Sequence, residues 1–523
     1  MAMKKELKSS ISLGVIFNYL RIFLFLVLSL LYPPFLLSKI GPEDNGFLNF
    51  AISLIQIVTL LSLGSENSYI RFATKREKEE GEEGLNKING SYLLLFTFVS
   101  LSILIVGYLL SLLYGFGYLH IKDVSEEKNY LVLIIIFIAS LSGAIDFFFS
   151  YFLFYFLYKK RFVLEQIILI TIKVLSILLS SICLFIGWGA IYVILASLIA
   201  SLLVGLVSLF ICFKKLNMKI KFASKEEIKG DLKEIFKFSI FIFLVIGVSQ
   251  IQNNAGKVII SSFLGATSVT VFSYGLEFYI YAALLAKGVR DTFAPKINEL
   301  YQFNREEEMK ETFLNSSILL LTVLFICFGG FLLLGRSFLD FWLGKSSLNV
   351  TELDNIYFIG LISLAIWLIP LGESVAIEIE RAANKHRFLA LFNFVLALLS
   401  IPFSILFIFI LPNDLKIYAP LFGSGLLAIV GRIIVSNIYY KKQLSLPLLS
   451  FFKDVILLLF ITSLSYLSCF YLYDFYLVSY LSKELLFVLK FFTFLLLFAF
   501  LYCLIYQKKI KTIFNNTKKK AIS

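Results

Sequence analysis

The chain has 523 residues, of which 59% are hydrophobic and 16% are charged, against about 45–50% and 25% in ordinary soluble domains. This composition excludes a soluble enzyme or binding module. The net charge of +13 would suit nucleic acid, but the cations lie in short loops beside long apolar runs, where they face an anionic lipid leaflet. We therefore predict a helical membrane protein without a nucleic-acid partner.

The apolar runs are long enough to cross a hydrocarbon core of about 30 Å as helices. Charged breaks divide them into about fourteen predicted spans. These lie near 11–39, 47–70, 91–117, 130–157, 162–185, 190–213, 238–263, 268–289, 312–340, 355–380, 388–411, 417–440, 451–473 and 484–507. The first run is too long for a signal-peptide core, so it is predicted to remain as the first span.

Both termini are predicted to be cytoplasmic. An even number of spans places them on one side, and most of the 48 lysines and arginines fall on that side. The few on the opposite side are Lys39, Lys122, Lys128, Arg336, Lys345, Lys416 and Lys483.

A lysine-rich segment, 216–237, separates spans six and seven. Its capping-box pattern, Ser224 with Glu227, precedes apolar residues at helical spacing and predicts an interfacial helix.

The two halves of the chain repeat each other at a nearly constant offset. Gly41 and Gly64 are separated by the same number of positions as Gly265 and Gly288, at an offset of 224. Two further pairs of landmarks recur at offsets of 226 and 227, namely Lys160-Arg161-Phe162 with His386-Arg387-Phe388 and Lys214-Lys215 with Lys441-Lys442. Each repeat holds six spans, an even number, so both insert in the same orientation.

The predicted fold is an all-α membrane protein in which two parallel six-helix repeats form N and C lobes around a central cavity. The predicted segments are an N-lobe over 1–215, a basic linker helix over 216–237, a C-lobe over 238–442, and two further helices with a basic tail over 443–523. Such a plan is typical of a transporter. A duplicated membrane scaffold is the alternative.

Span seven carries a polar stripe in an otherwise apolar helix. Its members are Gln250, Asn253, Asn254, Lys257 and Ser261. Because they recur at helical spacing they share one face, and we predict that this face lines a cavity. An interhelical hydrogen-bond network is the alternative.

Two cations lie deep in spans of the first half, where ionisable groups are costly and usually functional. Arg21 lies about 15 Å into span one, and Asn18 is near the same face three residues earlier. Lys173 is about equally deep in span five. Glu277 in span eight is predicted to be either a partner of Lys257 or Arg21, or a ligand for a coupling ion.

Acidic residues occupy equivalent depths in the two halves. Asp146 in span four is matched by Glu373 in span ten, just after Pro370. This arrangement suits an H⁺ or Na⁺ relay in which a broken helix exposes carbonyl groups beside Glu373. A salt bridge to a cation such as Arg432 is the alternative.

Several other charges are interpreted as residues that reach the membrane boundary with their polar ends. On the cytoplasmic side these are Lys287, Arg290, Glu378, Glu380 and Arg381, and near the outer face Lys490.

The cysteines lie in apolar runs without CxxC spacing, and the two histidines are far apart. We therefore expect no metal, disulfide or catalytic triad. The chain has no GxxxxGK(S/T) phosphate loop, so we expect no ATP hydrolysis by that route. We also expect no cofactor.

One stretch carries a family resemblance. It is Pro33-Pro34-Phe35-Leu36-Leu37-Ser38-Lys39-Ile40-Gly41 followed by Gly46-Phe47-Leu48-Asn49-Phe50. Together with the span count and the doubled unit, it resembles the Wzx-type polysaccharide transporters (O-antigen flippases) of the multidrug/oligosaccharidyl-lipid/polysaccharide exporter superfamily. Ile40 stands where leucine is usual, and Asn45 where tyrosine or phenylalanine is common.

The resemblance implies ion-coupled, alternating-access translocation of a polyprenyl-pyrophosphate-linked oligosaccharide across the bacterial cytoplasmic (inner) membrane. Membrane lipids and the polysaccharide polymerase machinery are the implied partners. Candidate ligands of the substrate are Arg21, Asn18, Lys173, Gln250, Asn253, Asn254, Lys257 and Arg290. Candidate coupling residues are Asp146, Glu277 and Glu373.

Three alternatives remain. The first is a lipid II flippase, which would have the same fold. A drug or cation antiporter would favour an acidic cavity, against the cationic bias of the deep residues. A membrane polymerase would need a substantial external loop with catalytic groups, whereas the nearest candidate, Glu43-Asp44, lies in a tight turn.

Overall fold

The computed structural model describes residues 2–62, 64, 68–477 and 482–522, and they are nearly all helical. The helices are α1 (Ala2–Val58), α2 (Tyr69–Gly115), α3 (Glu126–Tyr158), α4 (Phe162–Ile186), α5 (Ala190–Phe210), α6 (Lys225–Leu264), α7 (Ala266–Gln302), α8 (Glu306–Leu343), α9 (Val350–Gly372), α10 (Ala376–Ala382), α11 (Arg387–Ile410), α12 (Ala419–Ala428), α13 (Ser436–Leu444), α14 (Leu448–Phe470) and α15 (Lys483–Ile522). Short 3-10 or π segments cover Thr59–Ser62, Ile211–Lys215, Asn413–Tyr418, Ile429–Val435 and Tyr471–Leu477.

Thirteen helical segments within the described ranges are long and apolar enough to cross a membrane. The first, Ile16–Ser62, has 47 residues, or about 70 Å of helix, which is twice a hydrocarbon core of about 30 Å. Gly41 interrupts it with φ 77° and ψ 170°, a backbone conformation that glycine adopts without a steric penalty. The segment therefore holds two predicted spans, and the prediction of an all-α membrane protein with about fourteen spans is confirmed.

The repeat is visible in the backbone at its first landmark. Gly265, between α6 and α7, has φ 87° and ψ 177°, nearly the conformation of Gly41. At the second landmark the halves differ. Gly64 has φ 70°, whereas Gly288 lies inside α7, because that helix continues to Gln302.

The helices pack as two compact units. The first comprises Met1–Ser273 and Arg387–Leu427, and the second Tyr274–His386 and Ala428–Ser523. In the first unit α6 packs on α11 through a buried cluster of Val248, Ile251, Ala255 and Ala397. The division into an N-lobe ending at 215 and a C-lobe beginning at 238 stays a prediction.

Buried tyrosines join α2 to α3 in the first unit. Tyr69 packs edge-on against Tyr92, with 5.0 Å between ring centres, and against Tyr151 at 5.6 Å. The Tyr69 hydroxyl donates to Asn89 Oδ1 at 2.7 Å, and the Tyr151 hydroxyl donates to the Asn89 carbonyl at 3.0 Å. These hydrogen bonds pair buried polar groups that would otherwise lower the stability of the fold.

The equivalent turns of the two repeats meet inside the first unit. The Thr270 hydroxyl donates to the Pro42 carbonyl at 2.6 Å. Gly46 lies against the backbone of Ala266, so that an added Cβ would be 2.0 Å from the Ala266 carbonyl oxygen. At the repeat offset of 224, Pro42 is equivalent to Ala266 and Gly46 is equivalent to Thr270. Each turn therefore uses the same two positions to contact the other, as two copies do across a two-fold axis.

The capping box predicted at the start of the linker is confirmed. The Glu227 amide donates to Ser224 Oγ at 3.3 Å, and the Ser224 amide donates to Glu227 Oε2 at 2.9 Å. This amide and the nearby Lys87 ammonium hold the pKa of Glu227 at about 2. The helix does not end at 237 as an interfacial segment would, because no helix-breaking residue stands there, and α6 continues to Leu264.

Ion pairs attach the start of α6 to α2. Three acidic side chains of α6 point towards basic side chains of α2, and the Ser91 hydroxyl also donates to Asp231 Oδ2 at 2.8 Å. We name these pairs the α2–α6 clamp. They are Lys87 with Glu227 at 3.1 Å, Arg76 with Asp231 at 2.5 Å and Lys75 with Glu234 at 2.9 Å.

Buried polar contacts hold the last two spans in the second unit. Lys490 is buried and lies 2.6 Å from Asp474 Oδ1, so its interpretation as a boundary residue with an exposed end is wrong. The physical reason is that a carboxylate of the preceding π segment offers a partner within the protein. In addition, the Tyr506 hydroxyl donates to Asp454 Oδ1 at 3.0 Å.

Candidate functional site

Arg21 is half-buried in α1 of the first unit. Its Nη2 atom donates to Asn18 Oδ1 at 2.9 Å, and its guanidinium lies 5.6 Å from the centre of the Phe25 ring. The predicted proximity of Asn18 and Arg21 is thus confirmed. Arg21 Nε is buried and has no hydrogen-bond partner within the described part of the chain.

An acidic residue of α4 faces Arg21. Glu165 interacts electrostatically with the guanidinium, and Gln166 donates a hydrogen bond to Glu165. Sequence reasoning missed this contact. Glu165 stands near the predicted start of span five, and nothing in its local pattern indicates which helix it faces.

The polar stripe of α6 lies beside the face that packs on α11, about 120–140° around the helix at 100° per residue. Asn254 Nδ2 donates to Gln250 Oε1 at 2.9 Å, and Gln250 Nε2 donates to Gln56 Oε1 of α1 at 3.3 Å. Asn253 and Lys257 are half-buried on the same side. The stripe is therefore a connected polar face in contact with α1, and its role in binding stays a prediction.

Two predicted residues of the first unit lie apart on other helices. Lys173 is exposed on α4. Asp146 is exposed on α3 and has Ser201 of α5 as a hydrogen-bond partner. The structure thus places Lys173 and Asp146 on two helices other than α1 and α6, which carry Arg21 and the polar stripe.

Arg290 in the second unit is engaged by carboxylates. Its Nε atom lies 3.4 Å from Glu378 Oε1 and 3.5 Å from Asp291 Oδ1, and Glu378 also accepts from Arg381 at 2.8 Å. These contacts leave Arg290 less available to an anionic substrate than Arg21. Glu277, on α7 of the same unit, is half-buried.

Glu378 and Glu380 are buried, with exposed fractions of 7% and 4%. Their interpretation as boundary residues with exposed polar ends is therefore wrong. The physical reason is that partners lie within the unit: Glu378 is shared by two arginines, and Glu380 has Tyr440 as a hydrogen-bond partner. Arg381, by contrast, is substantially exposed.

The helix breaks beside Glu373 as predicted, but the carbonyl groups of the turn are not left exposed as predicted, because following amides donate to them. Helix α9 contains Pro370 and ends at Gly372, and α10 begins at Ala376. Proline lacks an amide hydrogen and so removes one helical hydrogen bond. The turn that follows is closed by short-range bonds such as the Ala376 amide to the Glu373 carbonyl at 2.9 Å.

Glu373 is 4% exposed and lies among polar groups of α13 and the preceding π segment. Asn437 is a hydrogen-bond partner of Glu373. Arg432 interacts electrostatically with both Glu373 and Glu380. Four buried atoms of this group have no hydrogen-bond partner within the described residues. They are Glu373 Oε2, Ser374 Oγ, Arg432 Nε and Asn437 Oδ1.

This arrangement is unusual because buried polar atoms are nearly always satisfied. Two buried carboxylates, Glu373 and Glu380, share the guanidinium of Arg432, and Arg381 interacts with Glu380 as well. The contribution of Asn437 and Tyr440 was missed by sequence reasoning. Their positions five and eight residues after Arg432 were the available signal.

Comparison with known proteins identifies the family. Residues 12–285 match the family model described as "Polysaccharide biosynthesis protein". A comparison of the sequence with curated proteins found no significant match.

Solved structures share the fold. A lipid II flippase MurJ in an inward closed conformation is 16% identical, with a TM-score of 0.70 over 96% of this chain and 99% of that one. A multidrug resistance MATE transporter, inward-facing, is 14% identical, with a TM-score of 0.62 over 78% and 94%. A transporter of the same superfamily from Pyrococcus furiosus is 15% identical, with a TM-score of 0.51 over 84% and 96%.

The family match covers more than half of the chain, and it includes the helices that carry Arg21 and the α6 stripe. The similar structures are transporters and flippases rather than catalysts. The chain therefore belongs to the polysaccharide biosynthesis protein family and has the fold of the multidrug/oligosaccharidyl-lipid/polysaccharide exporter superfamily.

Proposed function

We propose that this membrane exporter flips polyprenyl-pyrophosphate-linked oligosaccharides, of the O-antigen or capsule type, across the bacterial cytoplasmic membrane. The family description supports a substrate in polysaccharide biosynthesis. The fold shared with a lipid II flippase supports a lipid-linked sugar as the class of cargo. The lysine-rich side, which carries both termini, is the cytoplasmic side in this proposal.

The observation that carries the proposal is the half-buried guanidinium of Arg21. Moving a pyrophosphate headgroup through a membrane requires cationic or hydrogen-bonding partners, because an unpaired buried charge is costly. Arg21 is oriented by Asn18 and keeps an unsatisfied Nε donor. The stripe with Gln250, Asn254 and Lys257 supplies further polar groups, while the polyprenyl tail can remain in lipid.

A lipid II flippase is the second candidate, because its substrate carries the same pyrophosphate and because a solved lipid II flippase has this fold. The MATE neighbours make a drug exporter the third. Exposed cations such as Lys173 favour an anionic substrate over a cationic drug.

The test uses a deletion strain of the source bacterium. Repeat units are expected to accumulate on the cytoplasmic leaflet, and wild-type protein is expected to restore them to the outer leaflet. Arg21→Ala should lower the rate of flipping at least about 30-fold, since losing a charge-assisted bond to a buried anion costs about 2–5 kcal/mol. Arg21→Lys should retain part of the activity, and Lys296→Ala, at an exposed position, is the matched control.

Leaflet-selective labelling of the lipid-linked glycan measures the result. If repeat units reach the outer leaflet in the deletion strain but stay unpolymerised, the flippase proposal is wrong and a polymerase is indicated. If lipid II accumulates instead, the second candidate replaces the first.

We further propose that flipping is coupled to protons through Glu373. The unsatisfied Oε2 atom offers a position for a proton, and the broken helix beside it offers a place where packing can change. H⁺ is proposed rather than Na⁺ because a proton needs one acceptor oxygen, which Glu373 Oε2 supplies, whereas a metal cation needs several oxygen ligands. Asp146 and Glu277 stay predictions as coupling residues.

Glu373→Gln is expected to abolish the dependence of flipping on a pH gradient, because the amide resembles the protonated acid and cannot release a proton. The measurement is transport in proteoliposomes under a pH gradient and, separately, under a sodium gradient. Glu299→Gln, at an exposed position of α7, should behave as wild type. Proton coupling through Glu373 is excluded if the Gln variant responds to the pH gradient as wild type does.

A further inference from the structure

Four lysines form a row along the start of α6. They are separated by four residues each, so they share one side of the helix, and all are exposed. Each lacks an ion pair to a carboxylate within the described part of the chain. We name them the lysine face. They are Lys225, Lys229, Lys233 and Lys237.

The opposite side of the same helix segment is acidic and already neutralised by the α2–α6 clamp. Its residue Asp231 is buried against Arg76 and Ser91. On the lysine side stands one described carboxylate, the exposed Glu226. The segment therefore presents a net positive surface on one side and bonds to protein on the other.

Apolar side chains accompany the lysine face. Phe236 and Ile240 are 36% and 42% exposed and fall between the lysines on a helical projection at 100° per residue. The Ser91 hydroxyl donates to Asp231, so this segment of α6 lies at the same depth along the membrane normal as Ser91. Predicted span three begins at that residue. The face thus lies at the height where headgroups give way to acyl chains.

We propose that the lysine face binds anionic phospholipids of the adjoining leaflet. The ammonium groups contact headgroup phosphates, and Phe236 and Ile240 contact the upper acyl chains. Positive charge combined with apolar side chains at a membrane boundary is the pattern that anionic lipid surfaces attract. The proposal is independent of the substrate that the protein flips.

The test compares two variants of the full chain that lose the same charge. One is K225Q/K229Q/K233Q/K237Q. The control is K214Q/K296Q/K441Q/K453Q, whose positions are exposed on four separate elements. Purified protein in neutral detergent is titrated with fluorescent phosphatidylglycerol or with phosphatidylcholine, at low and high salt.

Wild type is expected to bind phosphatidylglycerol at least tenfold more tightly than phosphatidylcholine, and the preference should fall at 1 M salt, where the Debye length is about 3 Å. The lysine-face variant should lose that preference by about tenfold, and the control should stay within about twofold. Soluble glycerol phosphate should not compete.

Equal losses in both variants would overturn the proposal, as would a wild-type preference that salt leaves unchanged. Competition by soluble glycerol phosphate would indicate a site for free phosphate instead. Salt-sensitive binding in wild type is measured without any substitution, so the proposal stays testable if the quadruple variant folds poorly.

Discussion

Replacing Gly46 with alanine is expected to destabilise the protein by about 3 kcal/mol, the upper part of the range for overpacking. The added Cβ would lie 2.0 Å from the Ala266 carbonyl oxygen. Because the obstructing atom belongs to the backbone, it cannot rotate away as a side chain would. Thermal and denaturant unfolding of the purified protein in detergent measures the loss.

The matched control is Gly230→Ala in α6, where no atom lies within 4 Å of an added Cβ. That substitution should be neutral or stabilise the helix by up to about 1 kcal/mol. Equal melting temperatures for the two variants would show that the chain does not need the close approach of the two equivalent turns.

Removing the Asp474 carboxylate is expected to cost about 2–3 kcal/mol of stability. Breaking a buried ion pair costs about 3–5 kcal/mol because the remaining charge is left unpaired. The lower value is expected here since the Asp474 side chain is 32% exposed, which lets water replace part of the interaction. Asp474→Ala is measured by the same unfolding experiments.

A double variant isolates the physical cause. Asp474→Leu combined with Lys490→Met removes both charges and should recover most of the loss, as replacement of buried pairs by apolar residues often does. Asp414→Ala, at an exposed position, should be neutral. If the double variant is as unstable as Asp474→Ala, the cost arises from packing rather than from the unpaired ammonium.

Features governed by neighbouring residues were predicted from the sequence. The capping box of Ser224 and Glu227 depends on a spacing of three residues, and the break at Glu373 comes three residues after Pro370. The contacts of Arg21 with Asn18 and of Gln250 with Asn254 likewise follow from helical spacing. Hydropathy located the spans because the apolar runs match the membrane thickness.

Features that depend on which helices meet were not predicted. Lys490 and Asp474 are close only because the chain turns between α14 and α15, and hydropathy carries no information about that pairing. Arg21 and Glu165 stand on different helices, and Glu373 lies in a turn whereas Asn437 is on α13. Their proximity arises from tertiary packing, which one sequence without its relatives does not specify.

The continuity of α6 has a mechanical consequence. The helix runs without a non-helical residue from its capped start to Leu264, so no break separates its two ends. Asp231, held by Arg76, and Lys257, in the polar stripe, are about 39 Å apart along one rod. A turn of the clamped end about the helix axis would therefore rotate Lys257 by a similar angle. A change of salt or lipid at the membrane boundary would in this way reach the polar face mechanically, without any ligand passing between the two places.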